Sequence, residues 1–176
     1  MGIQRQGRIR SAADECSQCD ATPYSCSARS LEKNFRRRAS EANAAMILVD
    51  TSILVAWLDS AHPDHNNCLK ALDNCAAVDE LAISSVTFAE LAAGGRNRDK
   101  LDKDLAGLRR LDLDFDTAFR AGKAFCQSQR GEKQSGPVLP DFLIRAQAAA
   151  LNLPHLTNDR RRLRAFPELD LLFPEA

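Results

Sequence analysis

"MILVDTSILVAWLD", Met46–Asp59, opens with four apolar residues and then sets one carboxylate, Asp50, where that run ends. The run is short and unbroken, as expected of a strand buried on both faces. Thr51 and Ser52 follow, and both are good helix starters. An apolar stretch with helical character comes next. The segment therefore reads as strand, acid, helix, and Asp50 falls at the carboxyl end of the strand.

The rest of the chain supports an alternating pattern. "ELAIS" (80–84) reads as a strand, followed by a helix over 85–93 that stops at Gly94-Gly95. The spacing predicts a helix over 63–77 beginning at Pro63, a charged helix over 98–110 and a strand "LDLDF" at 111–115. A helix over 116–130, a loop "GEKQSGP" and an Ala-rich helix over 140–151 come next. "PHLTND" (154–159) reads as a short strand and turn, and "LDLLF" (169–173) as a last strand. Strands alternating with helices imply an α/β fold with a mostly parallel sheet covered on both faces. In such sheets, sites lie beyond the carboxyl ends of the strands.

Residues 1–45 differ in character. Apolar side chains are sparse there and show no sustained period, so the segment can bury little and is expected to be disordered. The abrupt change at Met46 suggests that Met46 is the natural first residue and that 1–45 is an over-extended reading frame. The chain of 176 residues is then expected to hold one domain over 46–176. Residues 1–45 carry eight Lys/Arg against five Asp/Glu; the remainder carries sixteen against nineteen. That mild acidity argues against nucleic-acid binding by bulk charge, though not against a local acidic site with a basic rim. No apolar run approaches the roughly 18 residues of a membrane span, and no signal-peptide layout opens the chain. A cytoplasmic location is expected, with no membrane association and free thiols in place of disulfides. Cys16, Cys19 and Cys26 have zinc-like spacing, yet no fourth ligand stands near them. His62 and His65 flank a helix start without a metal-binding context, and His155 falls in a short strand, as core or rim.

Four acids follow strands or open helices: Asp50, Glu90, Asp141 and Asp159. Each has an ordinary explanation. Asp50 would cap a helix, Asp141 would favour its helix dipole, Glu90 would be a solvated helix residue and Asp159 a turn residue. Together they could converge at one sheet edge. Crowded carboxylates repel and raise one another's pKa, and a hard divalent cation relieves this.

Four blocks carry a resemblance: "ILVDTSILVAWL", "AISSVTFAELAAG", "LPDFLIRAQAAALNLPHLTND" and "FPELDLLFPE". In this order they resemble the PIN-domain ribonucleases, most closely the VapC toxins of bacterial VapBC toxin–antitoxin pairs. The resemblance covers 46–176 and none of 1–45. It implies a PIN-like α/β/α sandwich with clustered acids holding Mg²⁺ or Mn²⁺. Asp50 and Asp141 would be the main ligands, with Glu90 and Asp159 completing the cluster through water or a second metal. Thr51, Ser52 and Thr157 would hydrogen-bond water or phosphate. The implied activity is an endoribonuclease toxin that hydrolyses RNA with a metal-activated water, held by a cognate antitoxin and forming a homodimer. The alternative is a non-catalytic PIN-like module that binds RNA or protein. Arg145 departs from the family, which often has a small residue there; it would contact phosphate, pair with an acid or partly block the site. Asn158 stands where a basic residue is frequent. Arg160, Arg161, Arg162 and Arg164 read either as a solvated turn or as a phosphate-gripping rim.

Overall fold

The computed structural model describes residues 46–129, 138–161 and 165–175. The expectations for 1–45, the zinc-like cysteine grouping, the loop at 131–137, Arg162 and Arg164 lie outside the described residues. Among the described residues five strands form one sheet: β1 (Met46–Val49), β2 (Glu80–Ser84), β3 (Arg109–Leu111), β4 (His155–Leu156) and β5 (Leu171–Leu172). Their order is β3-β2-β1-β4-β5, and every pairing is parallel. Among the described residues six helices flank the sheet: α1 (Thr51–Leu58), α2 (His65–Ala76), α3 (Ser85–Ala93), α4 (Arg98–Asp104), α5 (Phe115–Gln129) and α6 (Leu139–Leu151).

The central position of β1 explains its unbroken apolar sequence. Ile47 and Val49 pack into a core with Ile53, Leu54, Leu72, Leu91, Leu101 and Leu105. Met46 and Leu48 pack into a second cluster with Ile144, Ala148, Leu153 and Leu169. Successive side chains point to opposite faces, so a strand covered on both sides must be apolar at every position.

Three expected elements are shifted. The helix expected from Pro63 begins at His65, because residues before it close a turn: the His62 N–H donates to the Asp59 carbonyl (2.9 Å) and the His65 N–H to the His62 carbonyl (3.0 Å). The charged helix expected to reach residue 110 stops at Asp104. The strand expected at 111–115 is instead Arg109–Leu111, in register with Ala82–Ser84. Asp114 leaves the strand to receive the Thr117 N–H (2.8 Å) at the start of α5. The charged strand suits the sheet edge, where Arg109 meets Glu80 and Arg110 meets Asp102. Gly95, with φ +80, lets the chain turn away after α3. Among the described residues no helix is long and apolar enough to cross a membrane.

Candidate active site

Asp50 follows β1 directly, and its N–H donates to the Leu156 carbonyl of β4 (2.9 Å). Its side chain is only 7% exposed. A buried carboxylate must find donors or lose its charge. Oδ1 accepts the Thr51 N–H (2.9 Å), so Asp50 does cap α1. Oδ2 accepts the hydroxyls of Ser52 (2.9 Å) and Thr157 (2.5 Å). Helix capping and a functional role are thus compatible here. The cap fixes the carboxylate, and Thr157 ties it to the loop after β4.

Glu90 lies on α3, whose start is fixed by the Ser84 hydroxyl accepting the Val86 N–H (3.1 Å). Its Oε2 accepts the Thr51 hydroxyl at 2.5 Å, which links α3 to the first turn of α1. Burial pushes the Glu90 carboxyl above the usual range. The Thr51 hydrogen bond opposes this, and the charges of Asp50 and Asp141 push it higher. Asp141 sits in the first turn of α6 and accepts the Val138 N–H (3.0 Å). Burial raises its carboxyl too, against that N–H and the charge of Arg145; Asp50 and Asp159 add to the rise. Asp50, Glu90 and Asp141 therefore share one electrostatic field at the carboxyl edge of the sheet. Their oxygens are turned toward hydroxyls and N–H groups, and among the described residues no three His, Cys, Asp or Glu side chains converge as a ready-made ion site. The donor chemistry still fits a hard cation: oxygen ligands only, with two carboxyls held protonated longer than usual by burial and by neighbouring negative charge.

Asp159 differs from the other three. Arg145 Nη2 donates to its Oδ2 (2.8 Å), and Arg161 donates to its Oδ1 through Nε (2.8 Å) and the backbone N–H (3.0 Å). Burial works upward on its carboxyl, but the Arg161 hydrogen bonds and both guanidinium charges outweigh it, and the net shift is downward. Arg145 pairs with an acid, the second of the three roles its sequence position left open. The Thr51, Ser52 and Thr157 hydroxyls all reach carboxylates of the cluster. Asn158 donates its N–H to the Ser52 hydroxyl (3.2 Å) and its side-chain amide to Cys68 Sγ (3.4 Å). Arg160 stacks over Phe173, 5.0 Å from the ring centroid. His65 Nδ1 contacts the Ala56 carbonyl (3.1 Å), and His62 Nδ1 accepts the Asp64 N–H (3.1 Å), so both serve local structure.

His155 belongs to the core. It lies in β4 beside Leu48, and no partner reaches its Nδ1. Burial pushes its pKa down to about 4; the Asp50 charge opposes the shift and that of Arg145 adds to it. A two-residue strand gave the sequence no pattern from which this burial could be read. The unfolded chain takes up the His155 proton near pH 6.5 and the folded chain only near 4, so folding stability falls as pH drops through that window. By pH 5 this contribution amounts to about 2 kcal/mol. Urea denaturation at pH 7 and pH 5, beside His155→Gln, isolates it: the variant is expected to lose less stability on acidification. Parallel losses in the two proteins would refute the assignment.

The PIN domain family model matches residues 47–169. Ribonuclease VapC26 of Mycobacterium tuberculosis is 38% identical over 65 residues, 37% of this chain and 47% of that protein. The match thus spans about half the length of that relative. Among solved structures, VapBC2 from Rickettsia felis, bound to a DNA fragment from their promoter, is similar over 74% of this chain and 99% of that chain. Its TM-score is 0.57 at 27% identity. A toxin–antitoxin complex from Klebsiella pneumoniae shares the fold, with a TM-score of 0.55 and 23% identity over 73% of this chain and 98% of that one. Parallel sheet, acids at its carboxyl edge and the family match over most of the chain agree: this chain belongs to the PIN-domain family.

Proposed function

We propose that this chain is a divalent-metal-dependent endoribonuclease, the toxin of a toxin–antitoxin pair. The observation that carries the reading is the placement of Asp50, Glu90 and Asp141 in a PIN-family fold, with Asp50 directly after β1, Glu90 joined to it through Thr51 and Asp141 in the first turn of α6. These three side chains would hold Mg²⁺ or Mn²⁺, which when bound would ease deprotonation of water and offset charge on the phosphodiester under attack. The protein's own part is orientation. Ser52, Thr157 and the Thr51 N–H fix both oxygens of Asp50, and the Thr51 hydroxyl fixes Glu90. Arg161, 54% exposed and anchored on Asp159, stands at the rim with Arg160 to receive backbone phosphates. The similarity to ribonuclease VapC26 and to VapBC2 supports RNA as substrate and a cognate antitoxin as partner. A homodimer is the proposed assembly.

The ends of the product RNA test the chemistry. Attack by water with departure of the 3′-oxygen leaves 5′-phosphate and 3′-hydroxyl ends. Attack by the RNA's own 2′-hydroxyl leaves a 2′,3′-cyclic phosphate and needs no ion. Ligation and sequencing of the fragments are expected to capture 5′-phosphate ends. Cyclic-phosphate ends would refute hydrolysis by water, and intact RNA under all conditions would favour a binding module.

A further inference from the structure

Arg145 is 2% exposed on α6, one turn beyond Asp141. A guanidinium buried so deeply must have its donors satisfied. Nη2 donates to Asp159 Oδ2 (2.8 Å) and to the Asp159 carbonyl (3.3 Å), and Nη1 donates to the Arg161 carbonyl (2.5 Å). The other carboxylate oxygen, Oδ1, takes two donors from Arg161. Both oxygens of Asp159 are thus engaged by cationic residues, and the trio carries a net positive charge. The Asp159 N–H in turn donates to the Thr157 hydroxyl (3.0 Å), which donates to Asp50 Oδ2 (2.5 Å). A continuous set of hydrogen bonds runs from Arg145 to the first acid of the cluster.

A cation at Asp159 would have to displace charge-assisted hydrogen bonds from two guanidinium groups, one of them buried. Nothing comparable holds the other acids, whose partners are hydroxyls and backbone N–H groups. We infer that in this chain Asp159 is the anchor of an Arg145–Asp159–Arg161 clamp and not an ion ligand, and that Arg145 is a positioning residue that withdraws Asp159 from the metal site. The inference rests on the proposed ion site at Asp50, Glu90 and Asp141. It also gives Arg145 a purpose: it exchanges a fourth carboxylate ligand for a fixed loop under Thr157.

Calorimetric titration of the full chain with Mn²⁺ tests this without reference to activity. Asp141→Asn is expected to weaken binding about thirtyfold or more, and Asp159→Asn by less than about threefold. Arg145→Met releases Asp159 toward the cluster and is expected to tighten binding by about threefold or more; adding Asp159→Asn to it removes that gain. Structural damage alone would not tighten binding. Equal losses in Asp159→Asn and Asp141→Asn would overturn the clamp while leaving the ion site standing, and so would an Arg145→Met variant that folds but binds no tighter. Binding indifferent to Asp141→Asn would overturn both. Should Arg145→Met fail to fold, the comparison of Asp159→Asn with Asp141→Asn decides by itself, since the asparagine oxygen still accepts from Arg161 and the backbone bonds of residue 159 to Arg145 and Thr157 remain.

Discussion

Asp50→Asn is expected to lower RNA cleavage by about a thousandfold or more while leaving the fold in place. The substitution keeps one oxygen, which still accepts the Thr51 N–H and preserves the α1 cap. The new amide N–H₂ meets the Ser52 and Thr157 hydroxyls, which can rotate to accept. What disappears is the negative charge at the centre of the cluster. With it go part of the attraction for a cation and one source of the upward shifts on Glu90 and Asp141. Because that charge is buried and faces other acids, its removal is expected to leave the melting temperature unchanged or higher, the usual exchange of function for stability. A variant that melts much lower would identify Asp50 as chiefly structural. One that cleaves within about tenfold of wild type would exclude it from the chemistry.

The largest loss of stability is expected from Phe142→Ala, at about 3–5 kcal/mol. Phe142 is 1% exposed and anchors a small cluster with Ala121 and Ala146 on α5 and α6. Its ring meets Phe125 edge-on at 5.5 Å and Phe166 at 6.3 Å. Truncation removes the body of that cluster and leaves a cavity that two helices and a loop must close. Phe142→Leu keeps most of the volume and is expected to cost about 1–2 kcal/mol. Urea midpoints at unchanged slope measure both. A Phe142→Ala loss below about 1 kcal/mol would mean that α5 is not held on α6 through this residue. Since Asp141 precedes Phe142, a loosened helix start is also expected to weaken activity beyond the loss of folded protein.

The strand-to-helix junction at Asp50 was legible because several signals agree there: a short all-apolar run, a capping residue and an apolar helix. The strands after it were legible in type, and the parallel sheet followed from their alternation with helices. β3 was not. Arg109 and Arg110 have the charge and spacing of a wet helix, and only pairing with Ala82–Ser84 makes them a strand. Register with a neighbour overrides local preference at an edge, and no single-chain pattern records it. The four acids were visible as residues, but their partners were not. Asp141 and Arg145 are one turn apart, which suggests a pair; the carboxylate that Arg145 binds is Asp159, on the loop after β4. Likewise nothing in "TS" at 51–52 indicates that one hydroxyl would serve Glu90 and the other Asp50.

The most direct test of the central claim is RNA cleavage by the purified, antitoxin-free full chain with Mg²⁺ or Mn²⁺ and with EDTA, beside Asp50→Asn. The account predicts cutting with either ion, none with EDTA, recovery when the ion is restored, and no recovery in the variant. Cutting that survives EDTA, or that Asp50→Asn performs as well as the wild type, would contradict it.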